Sequence, residues 1–389
     1  MKIAQVSPLF ERVPPRAYGG TERIISYLTE ELVRRGHDVT LFASGDSLTT
    51  ARLVSPVREA IRQDAGRQAW LAYYAIQLEQ LAESVHTFDI IHFHTEYMHL
   101  PLARRLHTPH VTTVHGRLDL PECGPLYRQF PDCPLVSISN SQRTPLPHAN
   151  WCGTIHHGLP HHMYAFNERP GDHFVFIGRI SPEKRVDRAI EIAQQCGRRL
   201  YIAAKVDKFD EPYFEARIKP LLRHSTVEYI GEVGDREKCA LLESASALLF
   251  PVDWPEPFGL VMIEALACGT PVIAYRRGAI PEIVQDGATG FVVNNQEEAI
   301  RAAQSIGNID RRTCRAAFEQ RFTVTAMVDN YLRVYHRIAR SLDDSAMQPG
   351  LVPTQPVSSR AGERSDYRGI DAGTMQAMMT MPPTGGPHG

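Results

Sequence analysis

The chain has 389 residues with 43% hydrophobic and 22% charged residues, which is the composition of an ordinary globular protein. At about 150 residues per domain, this length predicts two or three domains. The 42 basic and 44 acidic residues leave a net charge of −2, which argues against a general nucleic-acid binder. No apolar run approaches the ~18 residues of a membrane span, and the apolar stretch at the N-terminus is too short for a secretory signal.

Seven cysteines are scattered along the chain, and no two of them are spaced as CxxC. This distribution favours free thiols in a reducing compartment over a disulfide framework or a zinc site. We therefore expect a cytoplasmic protein, with a peripheral position at the inner membrane surface as an alternative.

The first 160 residues alternate between short apolar runs and amphipathic stretches. The apolar runs predict strands over 2–8, 38–43, 89–94, 110–115, 135–139 and 153–156. The spacing of the apolar residues between them predicts helices over 21–35 and 68–85. Strands that alternate with helices are typical of βαβ units, in which a parallel sheet is covered on both faces.

The same pattern then restarts. It predicts six further strands, over 173–177, 200–204, 227–231, 247–251, 271–275 and 290–293. Helices are predicted over 183–195, 213–222, 236–244, 258–267 and 325–340. Two such sets indicate an α/β protein with two doubly wound, Rossmann-like domains that face each other across a cleft. Ligands of such sheets bind beyond the carboxyl ends of the strands.

The predicted domain boundaries follow from this repeat. We expect an N-terminal domain over 1–163, a C-terminal domain over 164–324 and a helix over 325–341 that crosses back to the N-terminal domain. A stretch rich in Pro, His and Gly at 158–171 predicts the linker. The remaining segment, 342–389, is rich in Pro and Gly and lacks periodicity, which is typical of a disordered tail.

The segment EPFGLVMIE carries two carboxylates, Glu256 and Glu264, spaced eight residues apart. Glu256 follows a predicted strand, and Glu264 lies about two turns further along the same helical face. Gly259 permits close approach of the backbone to a ligand, and N–H groups in the first helical turn are free to bind an anion. Carboxylates at this edge can accept hydrogen bonds from sugar hydroxyls. An acid that merely offsets the helix dipole is the alternative.

Two cations, Arg179 and Lys184, lie on either side of a predicted helix start directly after a strand. A guanidinium and an ammonium at this spacing can neutralise about two charges of a diphosphate. A surface pair beside Glu183 is the alternative interpretation.

The glycines of the segment YGGTER, Gly19 and Gly20, separate the first strand from the first helix, in the outline of a phosphate-binding loop. The segment matches neither GxGxxG nor GxxxxGK[ST], so it does not support a dehydrogenase or a P-loop enzyme.

His115 is the last residue of a predicted strand, where its side chain would face the cleft. Imidazole can bind a sugar hydroxyl or a phosphate and stabilise developing charge, although a structural histidine at a strand end is the alternative. The run HFHTEYMH, which includes His94, suggests metal binding. Because no carboxylate is paired with it, we expect a lining or structural role and no metal site.

Taken together, these motifs resemble the family 4 glycosyltransferases. The resemblance depends on GGTER, on HG at 115–116, on GR and EK within 178–184, and on the two glutamates of 256–264 followed by ALACGTPV. The segment DGATGF at 286–291 also fits, and about residues 1–340 are covered. Two departures are Pro257, where the family more often has glycine, and Gly278 with Ala279 in place of a frequent glycine pair. The resemblance implies the GT-B fold and a retaining enzyme.

The resemblance also implies roles for individual residues. Glu256 would contact the transferred sugar, with His115 beside the reacting centre as the second catalytic residue. Donor binding falls to Gly19, Gly20, Arg179, Lys184, Gly259, Leu260 and Glu264, of which Glu264 would hold the ribose. The turn that seats the nucleotide base comprises Gly231, Glu232 and Val233. Acceptor-side candidates are Glu22, His94 and Asp119.

The implied reaction is the transfer of a hexose from a nucleotide sugar, a UDP-sugar in the first place, to a sugar, lipid-linked or small-molecule acceptor. The nucleotide sugar is a substrate, so no cofactor and no metal are expected. Two alternatives stay open, namely a GT-B epimerase acting on a nucleotide sugar and a scaffold that binds one without catalysis.

Overall fold

The computed structural model describes residues 1–17, 19–63 and 69–346, with side chains described up to residue 340. Tyr18 of the YGGTER segment and the predicted tail beyond residue 346 lie outside the described residues. Two parallel sheets organise the described part of the chain. The first has seven strands in the order β3-β2-β1-β4-β5-β6-β7. They are β1 (Lys2–Val6), β2 (Asp38–Phe42), β3 (Arg52–Val54), β4 (Ile90–Phe93), β5 (His110–Thr113), β6 (Leu135–Ser137) and β7 (Trp151–Thr154).

The second sheet has six parallel strands in the order β10-β9-β8-β11-β12-β13. They are β8 (His173–Arg179), β9 (Arg199–Lys205), β10 (Val227–Gly231), β11 (Ala247–Phe250), β12 (Val272–Tyr275) and β13 (Gly290–Val293). In each sheet the first strand lies inside, and the order reverses beside it. This reversal is the doubly wound arrangement, which leaves a crevice at the carboxyl ends of the strands.

The helices connect successive strands and cover the sheets. They are α1 (Gly20–Arg34), α2 (Leu71–Ser84), α3 (Leu100–Ala103), α4 (Cys123–Gln129), α5 (Asn140–Arg143), α6 (Val186–Gln195), α7 (Glu211–Tyr213), α8 (Asp235–Ser244), α9 (Leu260–Ala267), α10 (Ile280–Ile283), α11 (Gln296–Gln304), α12 (Arg311–Arg321) and α13 (Val324–Ala346). Among the residues described, no helix combines the length and apolarity that a membrane span needs.

The predicted architecture is confirmed, since every predicted strand is present and both sheets are parallel. Strand β3 escaped prediction because three residues at a sheet edge carry no periodicity. The helix predicted over 213–222 is instead α7, a π-helical turn at Phe214–Ile218 and a 3₁₀ turn at Leu221–Arg223. Pro220 interrupts it, because proline cannot supply the N–H that a continuing helix needs. Helices α11 and α12 were not predicted, and neither were the short helices α3, α4, α5 and α10.

The long helix α13 packs against the first sheet although it follows the second one in the chain. The Tyr335 hydroxyl accepts a hydrogen bond from Gln5 Nε2 of β1 at 3.1 Å, and Tyr331 bonds Thr113 Oγ1 of β5 at 3.0 Å. Both tyrosines are fully buried. The helix ends at Ala346, five residues beyond the end of the crossing helix expected over 325–341.

Candidate functional site

A cavity of about 530 Å³ lies between the two sheets, at the carboxyl ends of their strands. Most of the predicted site residues line it, from both halves of the chain: Gly19, Gly20, Glu22, His115, Arg179, Lys184, Glu232, Val233, Glu256, Gly259, Leu260 and Glu264. Three predicted residues do not line it, namely His94, Asp119 and Gly231. The crevice that the strand order creates is therefore where the chemistry-bearing side chains converge.

Two helix N-termini meet at this cavity. Helix α1 begins at Gly20 and helix α9 at Leu260. They approach so closely that a Cβ on Gly20 would lie 3.3 Å from Leu260 Cδ1. Gly259 precedes α9 with φ +86°, a left-handed conformation that glycine adopts without strain. N–H groups of both first turns, which carry partial positive charge, therefore border one space.

The two predicted cations occupy different electrostatic settings. Arg179 lies among three carboxylates, at 2.6 Å from Glu183, 3.7 Å from Asp207 and 3.5 Å from Asp210. Its guanidinium group is thus positioned by ion pairs with all three. Lys184 Nζ lies 2.5 Å from Glu256 Oε2 and 5.0 Å from the centre of the Trp254 ring.

Glu256 is 8% exposed, and its carboxylate is fixed by two contacts on the same oxygen. Lys184 binds Oε2, and Trp254 Nε1 donates a hydrogen bond to Oε2 at 2.8 Å. Gly278 packs against the backbone of Glu256, where a Cβ would lie 2.2 Å from the Glu256 carbonyl oxygen, and its φ is +51°. A side chain at position 278 would therefore collide with the backbone of Glu256, so this position requires glycine. Trp254, which contacts the Glu256 carboxylate, was not predicted from the sequence.

Glu264 belongs to a network that spans the cleft. Its Oε1 accepts hydrogen bonds from Lys238 Nζ at 2.5 Å and from the Tyr164 hydroxyl at 3.2 Å. Lys238 also lies 3.3 Å from Asp235, which in turn forms an ion pair with Arg23 of α1. Although burial raises the pKa of Asp235, Arg23 and Lys238 lower it overall. This chain of charges links the first turn of α8 to the opposite half of the molecule.

Sequence reasoning missed Lys238 and Asp235 because they lie on a helix with no distinctive motif. Arg23 was visible as the last residue of GGTER, but its partner across the cleft was not.

His115 follows β5 by two residues and lies at the wall of the cavity. Burial lowers the pKa of its imidazole to about 3, so the ring is neutral. Its Nε2 lies 2.9 Å from Nδ1 of His94, which is fully buried behind it. Asp119 pairs with Arg117 at 2.7 Å, and it is Arg117 that lines the cavity. His94 and Asp119 therefore do not line the cavity themselves, but each contacts a residue that does.

Two carboxyl groups, that of the buried Glu22 and that of the half-buried Glu96, support the N-terminal half of the cavity. Burial raises the pKa of Glu22, which lines the cavity, to about 7. Burial likewise raises the pKa of Glu96 to about 7, and its Oε1 accepts the backbone N–H groups of His115 at 3.2 Å and Gly116 at 3.0 Å. Glu96 was not predicted, yet it fixes the turn that carries His115.

The histidines in and around the site predict that the folded protein is less stable in acid. Burial lowers the pKa of His92, His94, His99, His115 and His157. In the unfolded chain each titrates near about pH 6.5, so below that pH the unfolded state binds more protons and stability falls. Raised carboxyl pKa values at Glu22 and Glu96 oppose this effect but are fewer.

We therefore expect the melting temperature to be several degrees lower at about pH 5.5 than at about pH 7.5, as measured by scanning calorimetry. The variant His162→Asn removes an exposed histidine and serves as a control that leaves the difference unchanged. An equal or higher melting temperature at the lower pH would show that the buried rings are charged in the folded state.

No group of three or more His, Cys, Asp or Glu side chains that could hold a metal ion occurs within 1–17, 19–63 and 69–340.

Comparisons with known proteins give this geometry its context. A model described as Glycosyltransferase Family 4 matches residues 18–151, and one described as Glycosyl transferases group 1 matches residues 167–312. Glycogen synthase of Mycobacterium tuberculosis is 28% identical over 382 residues, which cover 83% of this chain and 90% of the relative. O-antigen chain mannosyltransferase C of Escherichia coli is 24% identical over 371 residues, which cover 87% of this chain and 99% of the relative.

Solved structures share the architecture at lower sequence identity. Sucrose-phosphate synthase of Thermosynechococcus elongatus has a TM-score of 0.73 at 17% identity, covering 87% of this chain and 99% of that one. HepE of Anabaena in complex with UDP and glucose has a TM-score of 0.66 at 18% identity, covering 88% and 100%. With both halves matched by family models and the two-sheet architecture shared along most of its length, the chain belongs to glycosyltransferase family 4 and has the GT-B fold.

Proposed function

We propose that this protein is a retaining, metal-independent hexosyltransferase that uses a nucleotide sugar, with a UDP-sugar as the preferred donor. The observation that carries the proposal is the convergence, in one cavity, of Lys184, the N-termini of α1 and α9, and Glu264. A cation and free amides fit a diphosphate, and a buried carboxylate fits the vicinal hydroxyls of a ribose. HepE, which shares this fold, has been solved in complex with UDP and glucose and with UDP-glucose, which supports the choice of a UDP-sugar.

We assign the acceptor to the N-terminal domain over 1–163 and the donor to the C-terminal domain over 164–324. Most of the proposed diphosphate and ribose ligands belong to the second half of the chain, since Arg179 is the last residue of β8, Lys184 lies five residues further on and Glu264 lies in α9. Glu232 and Val233, directly after β10, would seat the base. The acceptor would approach past His115 and Glu22. All seven cysteines are free, which supports a location in the reducing cytoplasm.

The proposed chemistry follows from where charge develops. As the bond between the anomeric carbon and the diphosphate oxygen breaks, negative charge builds on the leaving group and positive charge on the sugar. Lys184, Arg179 and the amides of the two helix N-termini stabilise the leaving group. An oxygen of the departing phosphate takes the proton of the acceptor hydroxyl while the new carbon–oxygen bond forms on the same face. Glu256, whose Oε2 is held by Lys184 and Trp254, stabilises the positive sugar.

A donor screen tests this proposal. The protein is incubated with UDP-, GDP- and ADP-glucose, with and without candidate sugar acceptors, and release of the nucleoside diphosphate is followed. A transferase releases the diphosphate and, by proton NMR of the product, keeps the anomeric configuration. An altered sugar with no diphosphate release would identify an epimerase. Binding without either change would identify a non-catalytic scaffold and refute the proposed transfer.

We expect turnover to persist in excess EDTA. Two cations and two sets of helix N–H groups already supply the positive field that Mg²⁺ or Mn²⁺ supplies in metal-dependent enzymes. A divalent ion would compete with Lys184 and Arg179 for the same phosphate oxygens. The measurement is the initial rate before and after dialysis against chelator. Loss of activity that only a divalent ion restores would show that the leaving-group stabilisers are misassigned.

A further inference from the structure

A chain of hydrogen bonds leads from His115 away from the cavity into the core of the first sheet. His115 Nε2 lies 2.9 Å from His94 Nδ1, and His94 Nε2 lies 2.8 Å from Gln5 Oε1. Gln5 Nε2 donates to the Tyr335 hydroxyl at 3.1 Å. Gln5, His94 and Tyr335 are each 0% exposed. We call these four residues, His115, His94, Gln5 and Tyr335, the histidine relay.

The contact between Gln5 and Tyr335 determines which atom donates and which accepts in each hydrogen bond of the relay. Because the Gln5 amide nitrogen donates to Tyr335, its oxygen faces His94 and can only accept. Nε2 of His94 must therefore carry the proton. Burial lowers the pKa of His94 well below its ordinary value, so this ring is neutral and its Nδ1 carries none. The bond to His115 is then donated by His115 Nε2.

The remaining ring nitrogen of His115, Nδ1, is then unprotonated. A neutral ring with its proton on Nε2 has a lone pair on Nδ1. That Nδ1 is buried and has no hydrogen-bond partner among the described residues. A buried acceptor without a donor is unfavourable, and a hydroxyl that arrives with the substrate is a group that can satisfy it.

We propose that Gln5, His94 and Tyr335 are positioning residues, which hold His115 as the neutral Nε2–H tautomer so that it meets a substrate hydroxyl as an acceptor. Tyr335 belongs to α13, so the helix that crosses between the two halves takes part in the site. The tautomer assignment stands on the contacts above, whereas its catalytic consequence rests on the proposed transferase function.

The tautomer can be measured without turnover. In protein labelled with ¹⁵N-histidine, the ring nitrogen shifts distinguish a protonated nitrogen from an unprotonated one. The His115 signals are identified by their loss in His115→Asn. At neutral pH we expect Nε2 of His115 to be protonated and Nδ1 to be unprotonated. The opposite assignment, or an exchanging mixture of both, would overturn the proposed relay whatever the protein's activity.

Paired variants then test the positioning role. Tyr335→Phe removes the hydroxyl that orients Gln5, whereas Tyr74→Phe makes the same change at another buried tyrosine, whose hydroxyl accepts a hydrogen bond from the Leu9 backbone N–H and is not connected to the relay. We expect kcat to fall about tenfold in Tyr335→Phe, the lower end of the loss that follows when the partner of a metal-bound histidine is removed. We expect kcat to be unchanged in Tyr74→Phe and UDP affinity to be unchanged in both. Equal kcat values in the two variants would contradict the relay.

A second pair tests His94 itself. His94→Asn places an oxygen where Nδ1 accepts the bond from His115, whereas His94→Leu offers no acceptor. We expect the asparagine variant to keep the Nε2–H signature of His115 and more of the wild-type kcat than the leucine variant. If both variants lost the signature and the activity to the same extent, His94 would have only a packing role.

Discussion

Replacing Lys184 with alanine should lower kcat/KM for the nucleotide sugar by on the order of 10²-fold, by analogy with the loss of one donor in an oxyanion hole. The variant loses a cation whose interaction with the diphosphate strengthens as charge develops, so kcat falls as well as KM rising. It also leaves Glu256, which is 8% exposed and 2.5 Å from Lys184 Nζ, without its ion-pair partner. Steady-state kinetics with the donor selected by the screen measure the effect.

Lys219→Ala is the matched control. Lys219 is also paired with a glutamate, Glu215 at 2.7 Å, but its side chain is 58% exposed and lies outside the cavity. Its removal leaves kcat/KM unchanged, since an exposed ion pair contributes little. Wild-type kinetics in Lys184→Ala would remove the basis for placing the diphosphate beside this residue.

The isosteric change Glu256→Gln should reduce kcat by on the order of 10²- to 10³-fold with a smaller effect on KM. Glutamine keeps the volume of the side chain and can still accept the hydrogen bond of Trp254, so the fold is retained. It no longer carries the negative charge that stabilises the positive sugar in the transition state. It also leaves Lys184 without its carboxylate partner, which loosens the ammonium beside the leaving group.

Glu215→Gln provides the control for this charge change, because Glu215 forms an exposed pair with Lys219. Circular dichroism melting confirms that both variants are folded. A kcat for Glu256→Gln within about twofold of the wild type would mean that this carboxylate does not face the reacting centre. A covalent glycosyl adduct on Glu256, detected by mass spectrometry of the wild type, would instead support a protein nucleophile and contradict transfer of the proton by the leaving phosphate.

The strand pattern predicted the fold because both sheets are parallel, and buried parallel strands are short apolar runs that contrast with the amphipathic helices between them. The same regularity explains why most of the predicted site residues meet at one cavity. Each motif follows a strand, and the carboxyl ends of parallel strands meet at one edge. Gly20 and Leu260 are therefore neighbours although they are far apart in the sequence.

The position of His94 could not be predicted from the strand pattern. His92 lies in β4 and His94 is the first residue after it, and their rings lie on one face with centres 4.0 Å apart, as expected for extended backbone. The sequence did not indicate that Tyr331 and Tyr335 of α13 would pack beneath that face, so His94 was expected nearer the acceptor. Lys238 was missed for a similar reason, because its partner in the site, Glu264, is distant in the sequence. Trp254 is only two residues from Glu256, but the sequence does not show that its indole N–H points at that carboxylate.

The most direct test of the proposed donor site is a crystal structure of the protein with UDP, or with GDP or ADP if the screen selects one of these. The proposal predicts the diphosphate between Lys184 and the first turn of α9, with the ribose hydroxyls on Glu264 and the base beside Glu232 and Val233. A nucleotide bound away from this cavity, or bound within it without contact to Lys184, α9 or Glu264, would contradict the assignment.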